Sequence, residues 1–245
     1  MKVNMMKSVS EKFVEEAFTK GCKPQVIEQA KEVTDNIYKV IEESEDLWSL
    51  MRTLDEFDPD AFTHAFLVTL YSSAIIKQFD WQSKLTIETT AMACMFHDIG
   101  KIALPKELIG LRPEQMSEEQ LEKYKEHPRL GVEIVEKNKS INVAVKQIIL
   151  QHHERFDGSG FPHGLKREKI QTLANIVGLA DDFVHLITAE KIPPVAGLKK
   201  LLGNQELAGR YNSVILENFI KVFTDPGKIK TEDNVPQNSK VVKSG

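Results

Sequence analysis

"INVAVKQIILQHHERFDGSGFPHGL", residues 141–165, joins an apolar run to two adjacent histidines and then to a turn. Its first half places valine, isoleucine and leucine at helical spacing, with so few polar positions that the helix must be largely buried. That helix is expected to end at the histidine pair. The second half is too polar for a face meant only for packing and too rich in imidazole for an ordinary connection. Asp157-Gly158-Ser159-Gly160 is turn chemistry that reverses the chain. The stretch therefore presents His152 and His153 from the end of a core helix, with the following segment folding back over them.

Helical period extends along the chain in both directions. It predicts helices over 10–19 and 24–52, the second including "VIEQAKEVTDNIYKVIEESEDLWSLM". Asp58 suits an N-cap and Pro59 the first position of the helix that runs through "AFTHAFLVTLYSSAII". "KLTIETTAMACMFHD" (84–98) continues the set, with Gly100 as its expected C-terminal cap. Ser117–Gln120 has the spacing of a capping box, and the helix it opens should break near His127-Pro128. Residues 167–188 and 210–223 complete the series. No segment alternates as a strand does, and no internal repeat is found. The fold class is all-α, a helical bundle. Residues 1–55, too short for a receiver domain and without its strands, read as an N-terminal helical appendage for regulation or docking. Residues 56–224 read as the main domain, and residues 225–245 as a disordered tail.

Composition narrows the function. The 245 residues are 41% hydrophobic, enough for a real core, and the formal net charge is −4. That balance disfavours broad binding to a nucleic-acid backbone, so no DNA partner is expected, although a few placed cations could still hold one small nucleotide. Cys22 and Cys94 lie far apart with no CxxC spacing, which excludes a zinc–thiolate cage and fits a reducing compartment. No apolar run approaches the roughly 20 residues that span a bilayer. The opening "MKVNMMKSVSEKFVEE" has no apolar core of a signal peptide. The expectation is a cytoplasmic protein without a membrane partner.

Five of the seven histidines lie in or beside apolar helices. His97-Asp98 follows the small, apolar "TTAMACMF"; such a pair offers one nitrogen ligand and a carboxylate able to bridge two metals. Taken alone, the dipeptide is a chance occurrence and His97 a core histidine. The surroundings change that weighting. His127 lies at a helix break, and Asp60 and His64, four apart, share a helix face. Asp181 and Asp182 interrupt an otherwise buried run, where an acid needs a cation or several hydrogen bonds. Neighbours on a helix are about 100° apart, so only one of these two acids faces the core. Histidines with carboxylates and no thiolate favour iron, manganese or another first-row divalent metal.

The series His64, "HDIGK" (97–101), "HP" (127–128), "HHERFDGSGFPHGL" (152–165) and "AD" (180–181) resembles the HD-GYP domain, a branch of the HD-superfamily metal-dependent phosphohydrolases. The match spans about 58–190, with helices to about 224. The resemblance implies an HD-type bundle with two or three divalent metals and hydrolysis of the bacterial messenger cyclic di-GMP. By motif, His64, His97, Asp98 and Asp181 would hold one metal with Asp98 bridging; His127, His152 and His153 would complete the second site. Asp60 stands where some members carry an acid for a third metal. An acid in a helix's first turn also favours the dipole without any metal, and both readings stand. Asp98 and Lys101 are the catalytic candidates, the lysine offsetting charge at the scissile phosphate. Lys101 and Phe161 are the expected substrate contacts. Glu154 and Arg155 read as supporting residues, His163 and His185 as ordinary.

Two departures from the family stand out. Phe161 replaces the tyrosine of Gly-Tyr-Pro and removes a hydroxyl donor. After Asp181 the chain reads "DFVHLITAEKIPPVAGLKK", without the arginines that would grip phosphate or guanine; Lys191, Lys199 and Lys200 are nearby but lack the bidentate fork. Three functions follow: a cyclic di-GMP phosphodiesterase, a regulator that keeps its metals and binds nucleotide or a protein partner of the diguanylate cyclase type, and a phosphohydrolase acting on another nucleotide.

Overall fold

Ser83, Ser117 and Asn142 each precede a helical run, and each side chain accepts a backbone N–H from the turn that follows. Such caps satisfy donors that a helix start leaves without partners. The computed structural model describes residues 2–43, 61–108 and 111–224. In chain order its helices are α1 (Lys2–Lys20), α2 (Pro24–Glu43), α3 (Ala61–Ile76), α4 (Lys84–Phe96), α5 (Glu118–Tyr124), α6 (His127–Glu136), α7 (Val143–Gln151), α8 (Thr172–Glu190), α9 (Pro194–Gly203), α10 (Gln205–Gly209) and α11 (Ser213–Thr224). Among the described residues there is no strand. The all-α reading holds.

The apolar α3 lies at the centre, with α4 and α8 against it and α1 and α11 covering further sides. Phe66, Leu70, Tyr71 and Ile75 of α3 are fully buried. Tyr71 meets Phe183 of α8 edge-on at 4.9 Å, and Phe183 meets Phe219 of α11 at 4.8 Å. From the other side, α2 packs on α4, and Phe13 of α1 stands edge-on to Phe96 at 5.3 Å. Residues 1–55, set apart in the sequence reading, thus contribute Phe13, Ala17, Ile27 and Ile37 to the same core as α3 and α4. Among the described residues no helix is long and apolar enough to cross a membrane.

Local differences from the sequence reading have physical causes. Helix α1 begins at Lys2 rather than near residue 10, as lysine and methionine extend a helix at little cost. Helix α8 begins at Thr172, not 167, because the preceding backbone is tied elsewhere: Arg167 N donates to Phe156 O and Gln171 N to Gln151 Oε1. Gly100 is no helix cap. Helix α4 ends at Phe96 with His97 as its cap, and Gly100 lies inside the 3-10 turn Ile99–Ala103. A Cβ at Gly100 would stand 1.9 Å from the His127 carbonyl oxygen and 2.5 Å from Gly131 N. The glycine is there so that this turn can touch the start of α6. Asp58, Pro59, Asp60, residues 44–55 and the tail 225–245 lie outside the described residues.

Gly100→Ala should therefore separate the Asp98 turn from α6. Overpacking of this kind costs about 1–3 kcal/mol, and here the obstacle is backbone. Thermal denaturation should show a clear fall in melting temperature; an unchanged value would remove the close-approach role.

Candidate metal centre

Three helix ends use one device. A histidine three residues past a terminal-turn carbonyl turns its ring back and donates Nδ1–H to that oxygen. His97 donates to Cys94 O at 2.6 Å, His127 to Tyr124 O at 2.8 Å and His152 to Ile149 O at 2.7 Å. The carbonyls are among those a helix end leaves unpaired. With Nδ1 bound to the backbone, each ring leaves its Nε2 for the cluster. The Nε2 atoms of His127 and His152 face one another at 3.4 Å, lone pair toward lone pair.

Carboxylates complete two adjoining groups. Asp98, His127, His152 and His153 form one; His64, His97 and Asp181 form the other, and in each the potential ligand atoms lie within 4.8 Å of one another. Asp98 stands between them, Oδ1 3.4 Å from His127 Nε2 and Oδ2 3.5 Å from His97 Nε2. Asp181 also reaches both ways, Oδ1 2.9 Å from His64 Nε2 and Oδ2 3.8 Å from His153 Nδ1. Helix α8 can approach because residue 178 is glycine: a Cβ there would lie 2.4 Å from His152 O.

This cluster is under-satisfied without a cation. The Nε2 atoms of His64, His97 and His153, and Oδ1 of Asp98 and Asp181, are buried without a hydrogen bond. The 2.9 Å approach of His64 to Asp181 lacks hydrogen-bond alignment. Buried polar atoms are normally paired, so five orphans in one place need an explanation. Ligands on one ion with bonds of about 2.0–2.1 Å lie roughly 3–3.4 Å apart, close to the 2.9 Å of His64–Asp181 and the 3.4 Å of His127–His152 and His127–Asp98. The residues fit divalent metal.

Electrostatics agree. Burial pushes His64 and His127 down to about 4 and His152 and His153 well below their ordinary value, which keeps the imidazoles neutral. Burial opposes ionisation of Asp98, yet Lys101, His97 and His127 hold its carboxyl well below the usual carboxylate range. Lys101 Nζ lies 2.5 Å from Asp98 Oδ2 and 5.4 Å above the Tyr124 ring.

The surrounding side chains fasten the ligand-bearing segments. Arg155 Nη1 donates to the carbonyls of His152 and Glu154, and Nη2 reaches Asp182 Oδ1 at 2.7 Å. Tyr211 donates its hydroxyl to the other Asp182 oxygen. Asp181 thus points into the cluster, while Asp182 neutralises a buried guanidinium. Glu154, fully buried, accepts the backbone N–H groups of His163 and Leu165 at 2.7 Å each. Those bonds draw residues 161–165 over the site. Phe161, the expected substrate contact, stacks its ring on His153 at 4.5 Å.

The HD domain family model matches residues 39–197. The chain belongs to the HD domain family. Its motif series resembles that of the HD-GYP branch, with Phe161 in place of the tyrosine. This HD domain is 36% identical over 132 residues, 53% of the chain and 35% of the relative, to the cyclic di-GMP phosphodiesterase response regulator RpfG of Xanthomonas campestris pv. campestris. It is 28% identical over 214 residues, 84% of the chain and 56% of the relative, to a cyclic di-GMP phosphodiesterase of Thermotoga maritima. The chain thus spans between about a third and just over half the length of these relatives. Among solved structures, Bd1817, a HDG"Y"P protein from Bdellovibrio bacteriovorus, aligns with a TM-score of 0.77 at 22% identity, covering 91% of this chain and 71% of that one.

Of the sequence candidates, His64, His97, Asp98, His127, His152, His153, Asp181 and Lys101 are brought together, and Asp60 lies outside the described residues. His163 is an exposed loop residue as read. His185 is not ordinary. Its Nδ1 lies 3.1 Å from Asp181 Oδ1, and its ring centroid is 4.4 Å from that of His64. Its position four residues after Asp181, on the same helix face, was the available signal. Tyr124 and Tyr211 were missed too, and no local pattern marks them.

Metal-depleted protein should lose stability in acid. His64 and His127 take up protons near 6.5 when unfolded but only near 4 when folded, so the unfolded state binds more protons between those values. Their stabilisation is present above about pH 6.5 and is lost as pH falls toward 4. His185 acts in the other direction: burial lowers its affinity for a proton, but Asp181 overrides that and lifts it to about 9, so its share is lost as pH rises through 9. That share is smaller, since half of the side chain is exposed. Thermal melts after chelation should fall between pH 6.5 and 4; a flat profile there would contradict the buried neutral imidazoles.

Proposed function

We propose that this HD domain is a metal-dependent phosphodiesterase that opens cyclic di-GMP, holding two first-row divalent ions, iron or manganese. The observation that carries this reading is the pair of adjoining ligand groups joined through Asp98, with Lys101 at their edge. The names of the relatives point to the same substrate. When bound, such a metal pair supplies Lewis acidity to the attacking water and to a phosphoryl oxygen. His64, His97 and Asp181 would hold one ion, His127, His152 and His153 the other, with Asp98 between. In the reaction, water adds to phosphorus, the bond to the ribose oxygen breaks, and the ring opens to a linear dinucleotide.

The chain's own residues set the rest. Lys101, held charged beside Asp98, offsets negative charge that grows on phosphorus-bound oxygens. Phe161 and Tyr124 present aromatic edges next to His127 and His153. Grip on the distal phosphate is weaker: Lys200 is drawn into an ion pair with Glu190, and no arginine follows α8 where the family pattern places one. These features favour slow turnover and support the regulator as the second reading.

Iron- or manganese-loaded protein should convert cyclic di-GMP to its linear product, and Lys101→Ala should lower kcat by about a hundredfold or more with metal content measured alongside. Calorimetric binding without turnover under both metals would favour the regulator, and neither binding nor turnover would remove the substrate assignment.

Phe161→Tyr should change turnover by less than tenfold. One restored donor is worth at most about 1.5–3 kcal/mol, while phosphate placement governs orientation toward the attacking water. A larger gain at equal metal loading would show that the missing hydroxyl is the main deficit.

A further inference from the structure

His185 is the imidazole that the family resemblance leaves without a task. It sits on α8 one turn after Asp181, with half of its side chain exposed, while Asp181 is almost completely buried. Its Nδ1–H donates to the Asp181 main-chain oxygen at 3.1 Å and stands at the same distance from Oδ1 of that residue's carboxylate. Asp181 Oδ1 also lies 2.9 Å from His64 Nε2 and 3.9 Å from His97 Nε2. The His185 ring tilts 56° across the His64 ring at 4.4 Å. One carboxylate oxygen thus meets both ligand imidazoles and His185.

We infer that His185 is a positioning residue for the metal group His64–His97–Asp181: its N–H dipole sets where Asp181 Oδ1 points, and its ring packs against that of His64. His185 is outside the clusters whose potential ligand atoms converge, so it acts through Asp181 rather than by donating a lone pair. Groups that orient a metal's ligands change metal affinity by about ten- to a hundredfold when removed. The effect should fall on one site, because His185 faces Asp181 Oδ1, whereas His127 and His152 of the other group are fastened by the carbonyls of Tyr124 and Ile149. This inference rests on the metal-dependent reading above.

Manganese binding to the metal-depleted protein, counted by the electron paramagnetic resonance of free Mn(II), tests it without reference to activity. Wild type should bind at two sites. His185→Ala should weaken one of them about ten- to a hundredfold and leave the other unchanged, with unaltered helical circular dichroism. His185→Asn, which keeps a donor near the Nδ1 position, should restore most of the loss. Two unchanged sites in His185→Ala would overturn the inference while leaving the metal reading intact. Weakening that asparagine does not reverse would also overturn it, by making the imidazole itself a ligand. Wild-type protein that binds no manganese would fail the metal reading first, and the inference with it.

Discussion

Everything around the cluster depends on where three imidazole protons are placed. Cys94, Tyr124 and Ile149 each offer a carbonyl at the end of a helix, and each takes the Nδ1–H of the histidine three residues on. The bond satisfies a backbone acceptor that would otherwise be buried without a partner. It also fixes the tautomer, so Nε2 is left as an inward-facing lone pair. A single local interaction thus ends a helix and orients a ligand. The arrangement costs little as backbone but is expensive as a core, because it gathers buried polar atoms that, among the described residues, lack a hydrogen bond.

Two carboxylates answer part of that cost and create the demand for a cation. Asp98 and Asp181 each face both ligand groups, and each stays ionised through nearby positive charge rather than through hydrogen bonds to backbone. The charge comes from different sources. Lys101 lies beside Asp98 on its own 3-10 turn, whereas His185 reaches Asp181 from the next turn of α8. Outside the cluster, Arg155, Asp182 and Tyr211 tie the end of α7 to α8 and to the approach of α11. Their ion pair is shielded, and it fastens the backbone of the histidine pair from behind.

The substrate side is less tightly built. Glu154 holds residues 163 and 165 by their backbone, which sets the loop's path but leaves its outer surface open. Phe161 spends one face on His153. A ring in that position steadies a ligand and offers an apolar edge, and it can do both without a hydroxyl. The lysines past α8 are solvent-facing, and Lys200 is engaged with Glu190. The site is strong in metal ligands and sparing in groups that grip phosphate.

Sequence alone determined the helical architecture, because a 3.6-residue period with caps at Ser117 and at the histidine pair is a local property of the chain. It also determined which residues could be ligands, since histidines and acids inside apolar runs have few other physical uses. The conformation of Gly100 was misread for a non-local reason: its close neighbour, the His127 carbonyl, is 27 positions away, so the glycine looks like a cap until α6 is in place. His185 was set aside because its meaning depends on where His64 lies, on a helix more than 100 residues earlier. Tyr211 is invisible for the same reason, as its hydroxyl finds Asp182 only after α11 has closed the bundle. Periodicity encodes which face a side chain occupies along its own helix. Which atoms then meet across helices is decided only by packing, and packing is what turned eight scattered side chains into one centre.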